Sequence, residues 1–223
     1  MRKALDARLL KSVYDRVAGR YDLQHGLLTG GSDQRGRRLV VEATVRAGDK
    51  VLDCGAGTGS TALLAARAAA PDGRVTLLDF SRGMLARAAA RAHRVVGPAA
   101  FEFCLGDMSD LPFADQSFDC ALSTYSMCPL GDPARGALEL YRVVRPGGRV
   151  GIAHSAEPRG NAVKWLADKV EDLAWRCPGL SLGCRSVSVL PVLQRAGCRV
   201  LLKKPIGVPL WPFLVLVVEK PAV

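Results

Sequence analysis

Between Lys50 and Ala153 short apolar runs alternate with stretches of helical period. "KVLDC", "RVTLLDF", "FEFCLGD", "FDCALST" and "RVGIAHS" read as five buried strands. "STALLAARAAA" and "SRGMLARAAARAH" read as helices, with Ser81 placed to cap the second. "PDG", Pro71 to Gly73, marks a turn. A third helix is expected to open at Asp132–Pro133, a capping acid followed by the residue type favoured at the first helical position. It runs through "ARGALELYRVV" and stops at "RPGG", Arg145 to Gly148. Strands separated by helices of this length form right-handed crossovers, which give a parallel sheet with helices on both faces.

Two flanks enclose this core. Residues Arg2 to Arg20 are expected to form one amphipathic helix, its apolar stripe being Leu5, Leu9, Val13 and Val17, with Leu10 and Tyr14 beside it. After Asn161 the pattern gives a helix, "AVKWLADKVEDLAWR", a turn region, "CPGLSLGC", and a short helix broken by Pro191. Two late strands follow, "CRVLLKK" and "PFLVLVVEK", bringing the expected number to seven. No repeat, low-complexity tract or linker divides the chain. The expectation is one α/β domain over 1–223, with a doubly wound, mostly parallel seven-stranded sheet. Within it, 1–45 form an N-terminal helical lid segment, 46–155 a cofactor-binding core, and 156–223 the C-terminal helices and last two strands.

Composition narrows the class. Hydrophobic residues make up 49% of the 223, enough for a sizeable core, which excludes a disordered chain. The formal charge of +10 points to an anionic partner such as a membrane surface, a nucleic acid or an acidic substrate. An arginine-rich residue usage gives the same excess. Seven cysteines, an odd number without a C-x-x-C, argue for buried thiols in a reducing compartment, with no metal site. The opening "MRKALDARLLKSV" lacks the apolar core of a signal peptide. "IGVPLWPFLVLVV" carries two prolines and is too short to span a bilayer. A cytoplasmic protein, with peripheral contact to an anionic membrane, is the expectation.

The chemistry gathers at "VLDCGAGTGS", Val51 to Ser60. The loop joins a strand to a helix, where open α/β sheets bind ligands. A dinucleotide fingerprint, G-x-G-x-x-G, would rest a pyrophosphate on the helix N-terminus. Here the glycines are Gly55, Gly57 and Gly59, and Ser60 stands where that third glycine belongs. Asp53, just ahead, would repel a pyrophosphate and suits a ligand carrying positive charge.

The pattern D-x-G-x-G-x-G resembles motif I of the class I S-adenosylmethionine-dependent methyltransferases. Their Rossmann-like fold binds a cofactor with a sulfonium and an ammonium group and no phosphate. The resemblance extends to Asp79, at the end of the second strand, where that family holds the ribose hydroxyls. "GDMSDLPFADQSFD", Gly106 to Asp119, resembles the loop bordering the adenine, and "LYRVVRPGGRV" the turn before strand five. It implies S-adenosylmethionine as cofactor, with Asp107 accepting from the adenine amino group and Met108 on the ring. The implied binding residues are Asp53, Gly55, Ala56, Gly57, Gly59, Asp79, Phe80, Met84, Asp107, Met108 and Ser123.

Methyl transfer needs an acceptor held in line with the methyl group and water kept out. A carbon acceptor also needs a base. A nucleic-acid acceptor is not expected: "STYSMCPLGD" lacks an Asn/Asp-Pro-Pro-aromatic stretch, Cys128 precedes rather than follows Pro129, and no aromatics interleave with basic residues. "SVYDRVAGRYDLQHGLLTGGSDQRGRRLV" is similar to the segment ahead of motif I in the ubiquinone/menaquinone biosynthesis C-methyltransferases. There a tyrosine-aspartate pair, here Tyr21–Asp22, precedes a glycine-led basic stretch, here "GGSDQRGRR". "LPFADQSFDCALSTY" continues the likeness. The chain departs at Tyr125 to Cys128, where that family has Gly-Leu-Arg-Asn, and at His154–Ser155, where it has Leu-Glu-Phe. The resemblance implies a small or lipid-linked acceptor, first a quinone-precursor ring carbon. "YSMCPLGDP" also resembles the bacterial phospholipid N-methyltransferases, so an amine acceptor is the alternative. A cofactor-binding or scaffold protein without turnover is the other. Tyr21, His25, Tyr125 and His154 are the acceptor-side residues. Tyr21 and His154 are the catalytic candidates, His154 because imidazole titrates near pH 6.5.

Overall fold

The computed structural model describes residues 4–94, 100–176 and 178–222. Three helices come first: α1 (Ala7–Val17), α2 (Tyr21–Thr29) and α3 (Ser32–Thr44). The alternating core follows as β1 (Lys50–Cys54), α4 (Ser60–Ala69), β2 (Arg74–Asp79), α5 (Arg82–Ala92), β3 (Ala100–Leu105), β4 (Phe118–Thr124), α6 (Pro133–Val143) and β5 (Val144–Ser155). The chain closes with α7 (Asn161–Trp175), α8 (Pro178–Ser181), α9 (Leu190–Arg195), β6 (Arg199–Val208) and β7 (Trp211–Glu219). The seven strands form one sheet in the order β3-β2-β1-β4-β5-β7-β6. All neighbours are parallel except β7, which runs antiparallel between β5 and β6. The strand order reverses between β1 and β4, the point at which such sheets bind ligands.

Strand alternation distributes the core to the two faces. Val51 on β1 joins Val40, Leu77 and Val215 beneath α3 and α4, whereas Leu52 joins Leu78, Leu140 and Ile152 beneath α6 and α9. A smaller cluster holds α1 down through Leu10, Val13, Tyr14 and Val17 against Met84 and Leu182. Side-chain caps fix several helix starts. Ser81 accepts from Met84 N at 3.1 Å, Asp132 from Arg135 N at 3.0 Å, and Asp6 from Arg8 N at 2.9 Å.

Three expectations are corrected. The N-terminal helix is shorter than the expected Arg2 to Arg20, running Ala7–Val17 from the Asp6 cap to a turn at Ala18–Arg20, and Met1–Lys3 lie outside the described residues. Its buried stripe is Leu10, Val13, Tyr14 and Val17, while Leu9 points outward. Pro191 opens α9 rather than breaking it, since a first-turn proline lacks only an N–H that the helix leaves unpaired anyway. "RPGG" is the beginning of β5, held where Gly147 N donates to Lys220 O at 2.7 Å. Cys177 lies outside the described residues. Among the described residues no helix is long and apolar enough to cross a membrane.

Candidate active site

The glycine loop crosses the carboxyl end of β1. Gly55 and Gly57 have φ of +64° and +56°, which side-chain-bearing residues rarely adopt. A β-carbon on Gly55 would collide with Ser126, and one on Gly57 would stand in open space at the cavity wall. Gly55 N and Ala56 N donate to Leu78 O at 2.8 and 3.0 Å, tying the loop to β2. Gly57 N donates to Asp79 Oδ2 at 2.8 Å, and Ser81 N to Asp79 Oδ1 at 2.9 Å. The Asp79 carboxylate is thereby fixed at the rim.

A cavity of about 270 Å³ opens beside this loop. Gly55, Ala56, Gly57, Asp79, Phe80, Met84, Asp107 and Met108, all expected at the cofactor, line it, as does Tyr21. Asp53, Gly59 and Ser123 lie behind its wall. Ser123 Oγ sits 2.6 Å from Ser126 Oγ, which does face the cavity. Gly59 packs on Ala88 of α5. Asp53 is buried, and neither carboxylate oxygen has a hydrogen-bond partner among the described residues. Burial pushes its carboxyl up to about 7, against the pull of Arg37 and with the help of Asp79. Burial also raises Asp79, opposed by the N–H groups of Ser81 and Gly57.

Arg37, which the sequence marks only as one of a basic stretch, is a buried cation on the cavity wall. Its Nη1 donates to Thr61 Oγ1 at 2.9 Å and Thr124 Oγ1 at 2.7 Å. Its guanidinium lies 5.2 Å from the Tyr125 ring centroid. A helical i,i+4 spacing brings it within 3.9 Å of Asp33.

The first two helices cover the cavity, with Leu10, Tyr14 and Tyr21 facing in. Two polar tethers hold them. Asp15 accepts from Ser81 Oγ and from Gly83 N at the start of α5. Asp22 accepts from Thr58 Oγ1 at 2.7 Å in the glycine loop and pairs with Arg91 at 2.9 Å.

A second, overwhelmingly apolar cavity of about 210 Å³ lies beyond Tyr125. α2 contributes His25 and Thr29, α7 Val170 and Trp175, and β7 Trp211 and Phe213. Tyr125 lines both cavities. It has φ of +62°, a left-handed backbone at a position where the resembled family has glycine. Tyr21 stacks on His25 with centroids 5.4 Å apart, and His25 meets Tyr125 at 5.3 Å. Burial raises both tyrosine hydroxyls well above their usual range, more than Arg37 lowers them. His25 Nδ1 lies 3.2 Å from Asp33 Oδ2. Burial would raise Asp33, but the hydrogen bond and charge of His25, with Arg37 and Thr29, lower it to about 2. His154 is not brought to either cavity. β5 runs on through it, paired with Leu214 of β7, so its ring is enclosed and Nδ1 faces Ser155 O at 2.9 Å. Burial lowers its pKa, against that contact.

Residues 51–148 match the family described as methyltransferase domain. The chain is 38% identical over 151 residues to a demethylmenaquinone methyltransferase of Clavibacter sepedonicus, covering 67% of this chain and 59% of that one. It is 37% identical over 158 residues to the ubiquinone/menaquinone biosynthesis C-methyltransferase of Desulfotalea psychrophila, covering 69% and 61%. The match thus spans about three-fifths of the length of these curated relatives. Among solved structures it is similar to the [4+2]-cyclase SpnF, with a TM-score of 0.73 at 20% identity over 100% of this chain and 99% of that one. An S-adenosylmethionine-dependent methyltransferase from Aquifex aeolicus superposes with a TM-score of 0.60, at 20% identity, over 82% and 89%.

Proposed function

We propose that the chain is a class I S-adenosylmethionine-dependent methyltransferase, with S-adenosylmethionine as cofactor, and that it methylates a ring carbon of a quinone precursor. One observation carries this reading: Tyr125 is the shared wall between the cofactor cavity and a second cavity whose lining is almost wholly apolar. A flat apolar ring fits that second space, whereas a zwitterionic phospholipid headgroup, the alternative, would set its phosphate against mostly apolar walls, with Glu171 facing only its ammonium. The relatives named as demethylmenaquinone methyltransferases support the same acceptor.

The first cavity fits the cofactor. Its apolar walls at Phe80 and Met108 suit an adenine, and the fixed Asp79 carboxylate suits ribose hydroxyls. Asp107, which accepts from Ser109 N at 2.7 Å and lines the same cavity, would accept from the adenine amino group. The orphaned Asp53 carboxylate behind the glycines favours positive charge, as an ammonium or sulfonium brings. When bound, the cofactor supplies an electrophilic methyl group on sulfur. The chain's residues supply position and dryness: α1 and α2, within the proposed 1–45 lid, shut water out through Leu10, Tyr14 and Tyr21. We place the protein in the cytoplasm, in peripheral contact with anionic membrane at α1 and α2, where Arg8, Lys11, Leu23 and Leu27 are exposed.

The fold by itself does not fix the reaction, since a [4+2]-cyclase shares it. The test is incubation of the full chain with methyl-labelled S-adenosylmethionine and a short-chain demethylmenaquinone kept reduced. Labelled methylated quinone with matching S-adenosylhomocysteine is the expected product. Tight cofactor binding with no labelled product from quinols or from phosphatidylethanolamine would overturn it in favour of a non-transferring role.

A further inference from the structure

The second cavity contains a histidine whose placement goes beyond holding the fold. His25 is one turn into α2, sandwiched between the rings of Tyr21 and Tyr125. Nδ1 is committed to Asp33, whose carboxylate is in turn held by Thr29 Oγ1 at 3.0 Å and Gln34 Nε2 at 3.1 Å. A carboxylate held in its charged form requires a proton on the facing nitrogen. In the neutral ring, the form a base requires, the lone pair then falls on Nε2. Nε2 has no hydrogen-bond partner among the described residues, and the ring lines the apolar cavity. Tyr21, on the other side of this ring, lines the cofactor cavity. An aimed, oriented imidazole at the boundary of two cavities is the arrangement of a general base.

We propose that His25, oriented by Asp33, takes the hydroxyl proton of a hydroxyaromatic acceptor seated in the second cavity. The proposal rests on the methyl-transfer reading above and assigns its missing base. The acceptor's O–H bond breaks and its proton passes to Nε2. The ring carbon, now electron-rich, forms a bond to the methyl carbon as the S–C bond breaks, sulfur keeping the electron pair. The ring C–H proton then leaves while the hydroxyl is restored from His25, and one net proton goes to solvent. No oxidant or reductant is consumed, so the acceptor is the reduced, phenolic form. Besides Asp33, the titratable groups around the ring are Tyr21 and Tyr125, with Cys128, Cys184 and Glu171 on the same cavity and Arg37 behind Asp33.

Full-length protein loaded with S-adenosylhomocysteine is titrated with 1-naphthol, whose naphtholate absorbs at longer wavelength than the neutral form. The expected result is naphtholate absorbance near neutral pH in the wild type, its loss in His25→Gln, and its weakening in Asp33→Asn. S-Adenosylhomocysteine affinity, unchanged in both variants, shows that they fold. With the reduced quinone as acceptor, His25→Gln should lower kcat about 100-fold, and its rate should climb with pH as the acceptor ionises unaided. A wild type that fails to bind 1-naphthol, or binds it without ionising it, overturns the proposal, as does a His25→Gln variant that still ionises it. If the quinone is not methylated but 1-naphthol is ionised through His25, the acceptor assignment fails while the base stands.

Discussion

Gly36 and Tyr125 share one space. A β-carbon on Gly36, in the middle of α3, would collide with the Tyr125 hydroxyl and stand 3.0 Å from Ile206 Cδ1. The tyrosine in turn reaches the carbonyls of Ser32 and Asp33 at 3.4 and 3.3 Å, at the start of the same helix. Its main-chain N–H donates to Ala153 O at 2.7 Å, which anchors the left-handed turn. The wall between the two cavities is therefore built by a bulky residue just after β4 and a missing side chain on α3.

Gly36→Ala should destabilise the fold, although glycine to alanine inside a helix normally gains up to about 1 kcal/mol. Overpacking here costs about 1–3 kcal/mol and wins. Tyr125→Phe removes the colliding oxygen, so the double variant should be more stable than the sum of the two single changes predicts. Denaturant midpoints of the four proteins check this. Additive effects would show that the two residues do not compete.

Asp53 should make stability pH-dependent. Its folded-state carboxyl titrates at about 7 against an ordinary value of 3.8, so the folded state holds the proton longer than the unfolded chain. The contribution from this group is fully present below 3.8 and is lost as pH rises through about 7. Asp53→Asn cannot titrate. Its melting temperature relative to wild type should rise between about pH 4 and pH 8, by an amount worth a few kcal/mol at most. Parallel curves for the two proteins would contradict this.

Asp22→Ala should separate cover from core. The pair with Arg91 is substantially exposed, so its loss costs no more than about 1 kcal/mol, or roughly 4 °C. The affinity for S-adenosylmethionine should nevertheless fall several-fold, because α2 loses its hold on Thr58. Calorimetric titration beside a melting curve measures both. A large loss of stability with intact affinity would reverse the assignment.

The alternating core was legible because its signals are local. Ser81 and Asp132 cap helices in the chain segment where they occur, and the glycines of the β1–α4 loop carry their own conformational requirement. Arg37 was not legible. Its partners Thr61 and Thr124 lie 24 and 87 residues away, and nothing near Arg37 in sequence marks it from Arg35 or Arg38. The burial of His154 was not legible for a related reason: the strand end beside it falls at Ser155 as expected, but β7, far along the chain, pairs alongside and encloses the ring. On α1 the choice between Leu9 and Leu10 as the buried residue depends on what the helix packs against, and Asp15 reaching Ser81 settles it.

Val170→Trp should raise the acceptor KM by roughly ten-fold or more while leaving cofactor affinity unchanged. Val170 lines the second cavity and is 39% exposed, so the larger ring obstructs the opening without disturbing the core. Steady-state kinetics with each substrate varied in turn checks this. A rise in the cofactor KM instead would mean that the two cavities are one.

Membrane contact should depend on charge. Vesicles containing phosphatidylglycerol should sediment the protein at low salt and release it at high salt, since each basic residue near the surface contributes about 1 kcal/mol and is screened. Arg8→Glu with Lys11→Glu should weaken this binding, and Leu23→Ser with Leu27→Ser should weaken it further. Equal sedimentation with neutral vesicles would reject the anionic surface.

The tethers at Asp15 and Asp22 bear on timing as well as on shape. Both lie on the cofactor's side of the cover, whereas the second cavity opens between α2 and α7. On the proposed assignment each ligand then has its own door. Spent cofactor would leave when α1 and α2 part from the core, and an acceptor would exchange while they stay shut. Under saturating acceptor, turnover should then keep the pace of the helices rather than that of the chemistry.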